Sequence, residues 1–124
     1  MVCGSLHPAA RRQLDVLRAE RPEVEILDSP LSIDGRGARE VATTLGTEAR
    51  ARLLDGGHRT LVLIGGDTAA ATLGDGPVVV GGTLATGLPW LRRSDGSGPL
   101  ILTRSGGFGD DRALVELFEE GVPR

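Results

Sequence analysis

Three glycine-bearing stretches concentrate the residues of this 124-residue chain that could do chemistry: "CGS" at 3–5, "IGGDT" at 64–68 and "TRSGGFG" at 103–109. In the second, Gly65 and Gly66 let successive backbone N–H groups turn toward an anion, and a helix starting near Thr68 would add its positive N-terminal end. Asp67 could orient a magnesium ion through water, and Thr68 could donate to a phosphate oxygen. The same residues also suit a plain tight turn in which Asp67 caps the helix. In the third stretch Gly106, Gly107 and Gly109 surround Phe108 and permit close backbone approach, while Arg104 sets a cation at the edge. A ligand-free connection between strand and helix is the alternative there. Ser5 fits either a ligand hydroxyl contact or a helix cap.

Other chemistries find little support. All 14 basic residues are arginine, so a phosphate-binding lysine is excluded. The chain has neither a G-x-S-x-G elbow nor a G-x-G-x-x-G fingerprint. His7 and His58 have no partner at metal-ligand spacing, so no metal site is expected from protein ligands alone. Cys3 has no pattern for nucleophilic catalysis and reads as a small buried hydrophobe. Arg11 and Arg12 read as a solvated helix face. Trp90, the only tryptophan, could flank a base or serve as a core or lid residue. No catalytic residue is assigned.

These stretches need a scaffold, and the apolar pattern provides one. Pro8 opens a helix with Ala10, Leu14 and Leu17 on one face. "EVEIL", residues 23–27, alternates as a short strand. A second helix runs from Gly37 to about Leu54, stopped by Gly56 and Gly57. "TLVLI", "PVVVGG" and "PLILT" read as strands buried on both faces, and "DDRALVELFEEG" as a closing helix with Asp110 or Asp111 as its cap. Residues 29–37 and "RRSDGSG" read as polar loops. The expected fold class is α/β, a single open, mostly parallel sheet with helices packed on its faces. In such sheets ligands bind at the carboxyl ends of the strands. All three glycine stretches should share that edge.

Size and composition bound the function. A 12.9 kDa chain with 40% hydrophobic and 25% charged residues fits one domain, residues 1–124. A net charge of −3 gives no general pull toward nucleic acid or anionic membrane. With one cysteine and no apolar stretch of about 18 residues, a cytoplasmic setting is expected.

Taken in order, "VCGSLHPAARRQ", "LVLIGGDTAAATLG", "GTLATGLPWL" and "LILTRSGGFGDDRALVEL" resemble the C-terminal nucleotide-binding domain of the four-carbon acid sugar kinases, over nearly the whole chain. The resemblance implies ATP with Mg2+ as cofactor, and phosphorylation of small sugar acids such as threonate or erythronate. It implies an ATP site lined by Ser5, Gly65, Gly66, Asp67, Thr68, Arg104, Gly106 and Gly107. It also implies that a separate N-terminal domain or subunit supplies the sugar-acid site, so the 124 residues alone should be inactive. Arg104 stands where the family usually has lysine. The alternative is a non-catalytic nucleotide- or anion-binding module, or a remnant domain acting through a partner. A homo-oligomer is compatible with the sequence.

Overall fold

The computed structural model describes residues 1–29, 37–84 and 88–119. Its elements are β1 (Val2–Cys3), α1 (Pro8–Glu20), β2 (Leu27–Asp28), α2 (Ala38–Leu54), β3 (Thr60–Ile64), α3 (Gly66–Leu73), β4 (Val78–Thr83), β5 (Pro89–Arg93), β6 (Leu100–Arg104) and α4 (Ala113–Glu119). The sheet has the order β2-β1-β3-β6-β5-β4. Its first four strands are parallel, while β5 and β4 run as an antiparallel hairpin beside β6. The chain therefore forms the expected open, mostly parallel α/β sheet.

Alternation along the buried strands divides the core into two layers. Cys3, Val62, Ile64 and Leu102 face α1 and α4, meeting Leu14, Leu17 and Leu114. Val2, Leu61, Leu63 and Ile101 face α2 and, at its margin, α3, meeting Val41, Leu45 and Ala49. Local sequence explains the helix ends. Pro8 sits in the first turn of α1, with the His7 Nδ1 accepting the Ala9 N–H at 3.1 Å. Gly56 and Gly57, at φ +78° and +85°, turn the chain out of α2. No helix among the described residues is long and apolar enough to cross a membrane.

Several local expectations need correction. Only Leu27–Asp28 of the 23–28 region joins the ladder, because β1 offers just Val2 and Cys3 as partners. Val24 folds back instead, its N–H donating to the Arg21 carbonyl at 3.1 Å. "PVVVGG" is a strand but an edge one: Val78, Val79 and Val80 are 37%, 55% and 64% exposed. Its partner β5 lies in the stretch singled out for Trp90, and it takes up Arg92 and Arg93, which read as loop. Trp90 lies across Gly81 and Gly82, where the ladder is irregular. A Cβ on Gly81 would sit 1.9 Å from the indole ring, so glycine is required there by close approach. Trp90 thus packs inside the hairpin. The expected loop from 29 to 37 falls outside the described residues over 30–36, as do residues 85–87 of the third quoted motif and the end of the last helix beyond 119.

Candidate functional site: three stitched glycine turns

Because β1, β3 and β6 are neighbouring parallel strands, their carboxyl ends meet along one edge. Backbone bonds tie the turns that follow them. The Gly4 N–H donates to the Ile64 carbonyl at 3.0 Å, and the Gly65 N–H to the Arg104 carbonyl at 3.1 Å. β1 lies between β2 and β3, with α1 and α2 on opposite faces, so the crevice beside it is the point where strand order reverses.

The second turn is a helix N-terminus without a side-chain cap among the described residues. Gly65 precedes α3 at φ +104°, and none of the described side chains caps that helix. The N–H groups of Gly66, Asp67 and Thr68 therefore have no acceptor within the helix. Asp67 lies in the first helical turn with an exposed side chain, so the reading of Asp67 as the cap does not hold. A Cβ added to Gly66 would meet nothing within 4 Å among the described residues, so Gly66 faces open space there. Thr68 is 2% exposed, and its Oγ1 presses on Gly4, where a Cβ would lie 1.8 Å away. A hollow of about 150 Å³ separates these residues from Val41 and Ala42 of α2.

Ser5 is not the cap of α1 either. His7 holds that place, and the Ser5 Oγ accepts the His7 N–H at 3.1 Å. Gly106 packs directly on Ser5: a Cβ there would lie 2.0 Å from Oγ. Gly107 faces His7, whose Nε2 would lie 3.2 Å from an added Cβ. The first and third turns are therefore in contact.

Arg104 is turned into the third turn. Its Nη2 donates to the Gln13 Oε1 and the Phe108 carbonyl, and its guanidinium lies 5.7 Å from the centre of the Phe108 ring. Burial lowers the pKa of this guanidinium below the ordinary arginine value, toward which a nearby Cys3 charge would raise it.

Two residues at this edge went unnoticed in the sequence, and a third, Arg11, corrects its reading as solvated. Gln13, fully buried, sends its amide into the third turn. Ser29, 3% exposed, lines the hollow while its Oγ accepts from the Arg11 Nη2 at 2.7 Å. Arg11 also pairs with Asp28 at 3.0 Å and is 16% exposed, so it is not a solvated residue. Arg12, by contrast, is 59% exposed and meets Asp111 at the surface. A buried glutamine at a core-facing helix position is the signal that could have pointed to Gln13. Cys3 is fully buried as expected, which raises its thiol pKa. A larger hollow of about 330 Å³ beside Leu53, Leu73 and Ile101 lies at the other end of the strands and holds none of the three turns.

No protein-family model matches the chain, and no curated protein matches it. Solved structures do. A DUF1537 domain of unknown function from Bordetella bronchiseptica, a domain-swapped dimer with bound citrate, superposes with a TM-score of 0.76 at 25% identity, covering 96% of this chain. A second crystal form of it gives 0.74 at 26% identity. A DUF1537 protein of Haemophilus influenzae gives 0.69 at 17% identity over 96% of this chain, a likeness of fold alone. These structural neighbours are DUF1537 proteins. This chain spans 39% of the first neighbour's length and 38% of the other two.

Proposed function

We propose that this domain binds ATP through its three glycine turns, as the nucleotide-binding part of a four-carbon sugar-acid kinase. The observation that carries the reading is the open N-terminus of α3, which leaves N–H donors beside an unobstructed Gly66 and a hollow lined by Ser5 and Thr68. Backbone donors and a helix end then do the work that a lysine does in other phosphate sites. The residues fit the nucleotide by this test. They fit Mg2+ only in the manner usual for nucleotide sites, with Asp67 as the one carboxylate lining the hollow among the described residues and phosphate oxygens and water completing the shell. ATP would supply the transferred phosphoryl group. The sequence resemblance and the Bordetella DUF1537 neighbour support the same reading.

Phosphoryl transfer requires an acceptor hydroxyl held in line with the γ-phosphate, and positioning provides much of the rate. The acceptor site is assigned to a separate domain or subunit and not to these 124 residues, which span 39% of the first neighbour's length. A cytoplasmic setting and self-association belong to the same reading, the latter supported by the swapped dimer of the Bordetella protein. A non-catalytic anion-binding module is the second reading, favoured by the citrate in that neighbour.

The test is a calorimetric titration with Mg-ADP. A Kd from tens of micromolar to millimolar is expected, roughly −6 to −4 kcal/mol. Absence of heat and of any thermal shift at millimolar nucleotide overturns the proposal. Gly66→Val should fold normally, since its side chain enters open space, yet block binding by filling that space. Coupled ADP-release assays on threonate and erythronate should give no turnover with this chain alone; rates of about 1 per second or faster would contradict the assignment of the acceptor site elsewhere.

A further inference from the structure

We infer that Gln13 is the positioning residue of the third glycine turn, and that Arg104 acts through Gln13 and the Phe108 carbonyl instead of touching a ligand. The inference rests on the nucleotide reading of the same edge. Between the end of β6 at Arg104 and the start of α4 at Ala113, backbone pairing among the described residues is confined to the helix-side end, where the Ala113 N–H donates to the Asp110 carbonyl and the Glu116 N–H to the Arg112 carbonyl. Backbone pairing alone does not fix this loop's shape. Its carbonyls instead converge on one buried amide: the Gln13 Nε2 donates to Phe108, Gly109 and Asp110 at 2.8, 3.2 and 2.9 Å. Two N–H bonds are shared among three acceptors. The other end of the same side chain is fixed as well, since the Gln13 Oε1 accepts from Arg104. Both polar ends of a fully buried residue are thereby satisfied.

The consequence is a division of the loop by polarity. Its carbonyls are drawn toward α1, whereas the N–H groups of Gly106, Gly107 and Phe108 have no acceptor among the described residues. These donors follow the strand next to the open end of α3 and pack against Ser5 and His7. Only a glutamine-length amide does both jobs. A carboxylate would accept from Arg104 but set an acceptor against three carbonyls, and an apolar side chain would strip the Gly109 carbonyl of its partner and leave Phe108, Asp110 and Arg104 with one bond fewer each.

The test uses the 124-residue chain and the variants Gln13→Glu, Gln13→Leu and Arg104→Met. It reads nitrogen-15 relaxation of the backbone amides at 106–109 without ligand, then Mg-ADP affinity. In both Gln13 variants the order parameters there should fall from about 0.85 to below about 0.6, with β1 and β3 signals unchanged, and Mg-ADP should bind at least roughly tenfold more weakly. Arg104→Met should loosen the same amides to a smaller degree. A residue that merely fills the core would not loosen one loop selectively. If Gln13→Leu fails to fold, Gln13→Glu, which keeps the length and the Arg104 bond, decides the matter. Unchanged relaxation at 106–109 overturns the inference, as does a loosened loop with unaltered Mg-ADP affinity. An Arg104→Met protein whose loop stays ordered while affinity collapses would make Arg104 a direct ligand. Failure of the parent chain to bind Mg-ADP overturns the nucleotide reading instead.

Discussion

Leu63, Ile64 and Leu102, in the parallel half of the sheet, are sealed from solvent on both faces, whereas Val79 and Val80 of the hairpin are more than half exposed. Both regions are apolar runs of similar length. The difference follows from how the strands are connected. A parallel pair needs a crossover, and α1, α2 and α3 come back across the sheet as those crossovers. An antiparallel hairpin needs only a short turn, so nothing obliges a helix to cover β4 and β5. All three glycine turns belong to the covered half, at the ends of β1, β3 and β6.

The largest expected contrast is energetic. Leu63→Ala should cost about 2 to 5 kcal/mol, since a fully buried leucine leaves a cavity between two layers. Val79→Ala should lie within about 0.5 kcal/mol of the parent, as exposed positions do. Urea unfolding of both proteins checks this, and similar costs would erase the distinction between the halves.

Gly81→Val probes the hairpin from inside. The Trp90 ring must move to admit the new side chain, a cost of about 1 to 3 kcal/mol. Emission from Trp90, the only tryptophan, should shift as the ring becomes wetter. If the glycine turns form the site, Mg-ADP affinity should stay at the parent value. A matching loss of affinity would place the hairpin in the ligand's path.

The smallest effect is in pH. Hydrogen bonds from Arg112 to Glu20 and between His58 and Glu25 hold these two carboxyls below the ordinary glutamate value, each further favoured by the nearby arginine charge. A carboxyl depressed in the folded state adds stability at pH above its unfolded value, and that stability fades as pH falls through the folded one. Stability should therefore soften slightly below about pH 4.5. Both groups sit in the covered half at its surface, where solvent screening keeps the effect small. In Glu20→Gln the drop in Tm between pH 7 and pH 4 should be smaller than in the parent, and an unchanged drop would remove Glu20 from the account.

The division between the halves also explains which features could be read from the residues. Alternation and glycine placement were enough for α1, α2, β3, β6 and the shared edge of the three turns, because those patterns answer directly to burial on one or both faces. β4 and β5 were misjudged because three consecutive valines look the same whether a helix covers them or not. Partner identity, not composition, decided their exposure, and β5 was hidden in a stretch holding Gly87, Pro89 and two arginines. At the site, the types of Gly65 and Gly66 were informative, but not their division of labour. Gly65 carries the positive φ and Gly66 the open space. Gln13 and Ser29 stayed invisible because their importance comes from carbonyls and an arginine far away in sequence.

The buried thiol of Cys3 has a practical consequence. As the only cysteine, in the strand that leads directly into the first glycine turn, it is shielded both by packing and by burial that keeps it protonated. A disulfide reagent can reach it only when β1 parts from its neighbours. Under excess reagent the labelling rate becomes a clock for that opening, read at a single position without any added probe. A ligand that bridges the turns after β1 and β3 should slow the clock, while one that settles on the hairpin should leave it running at the same speed.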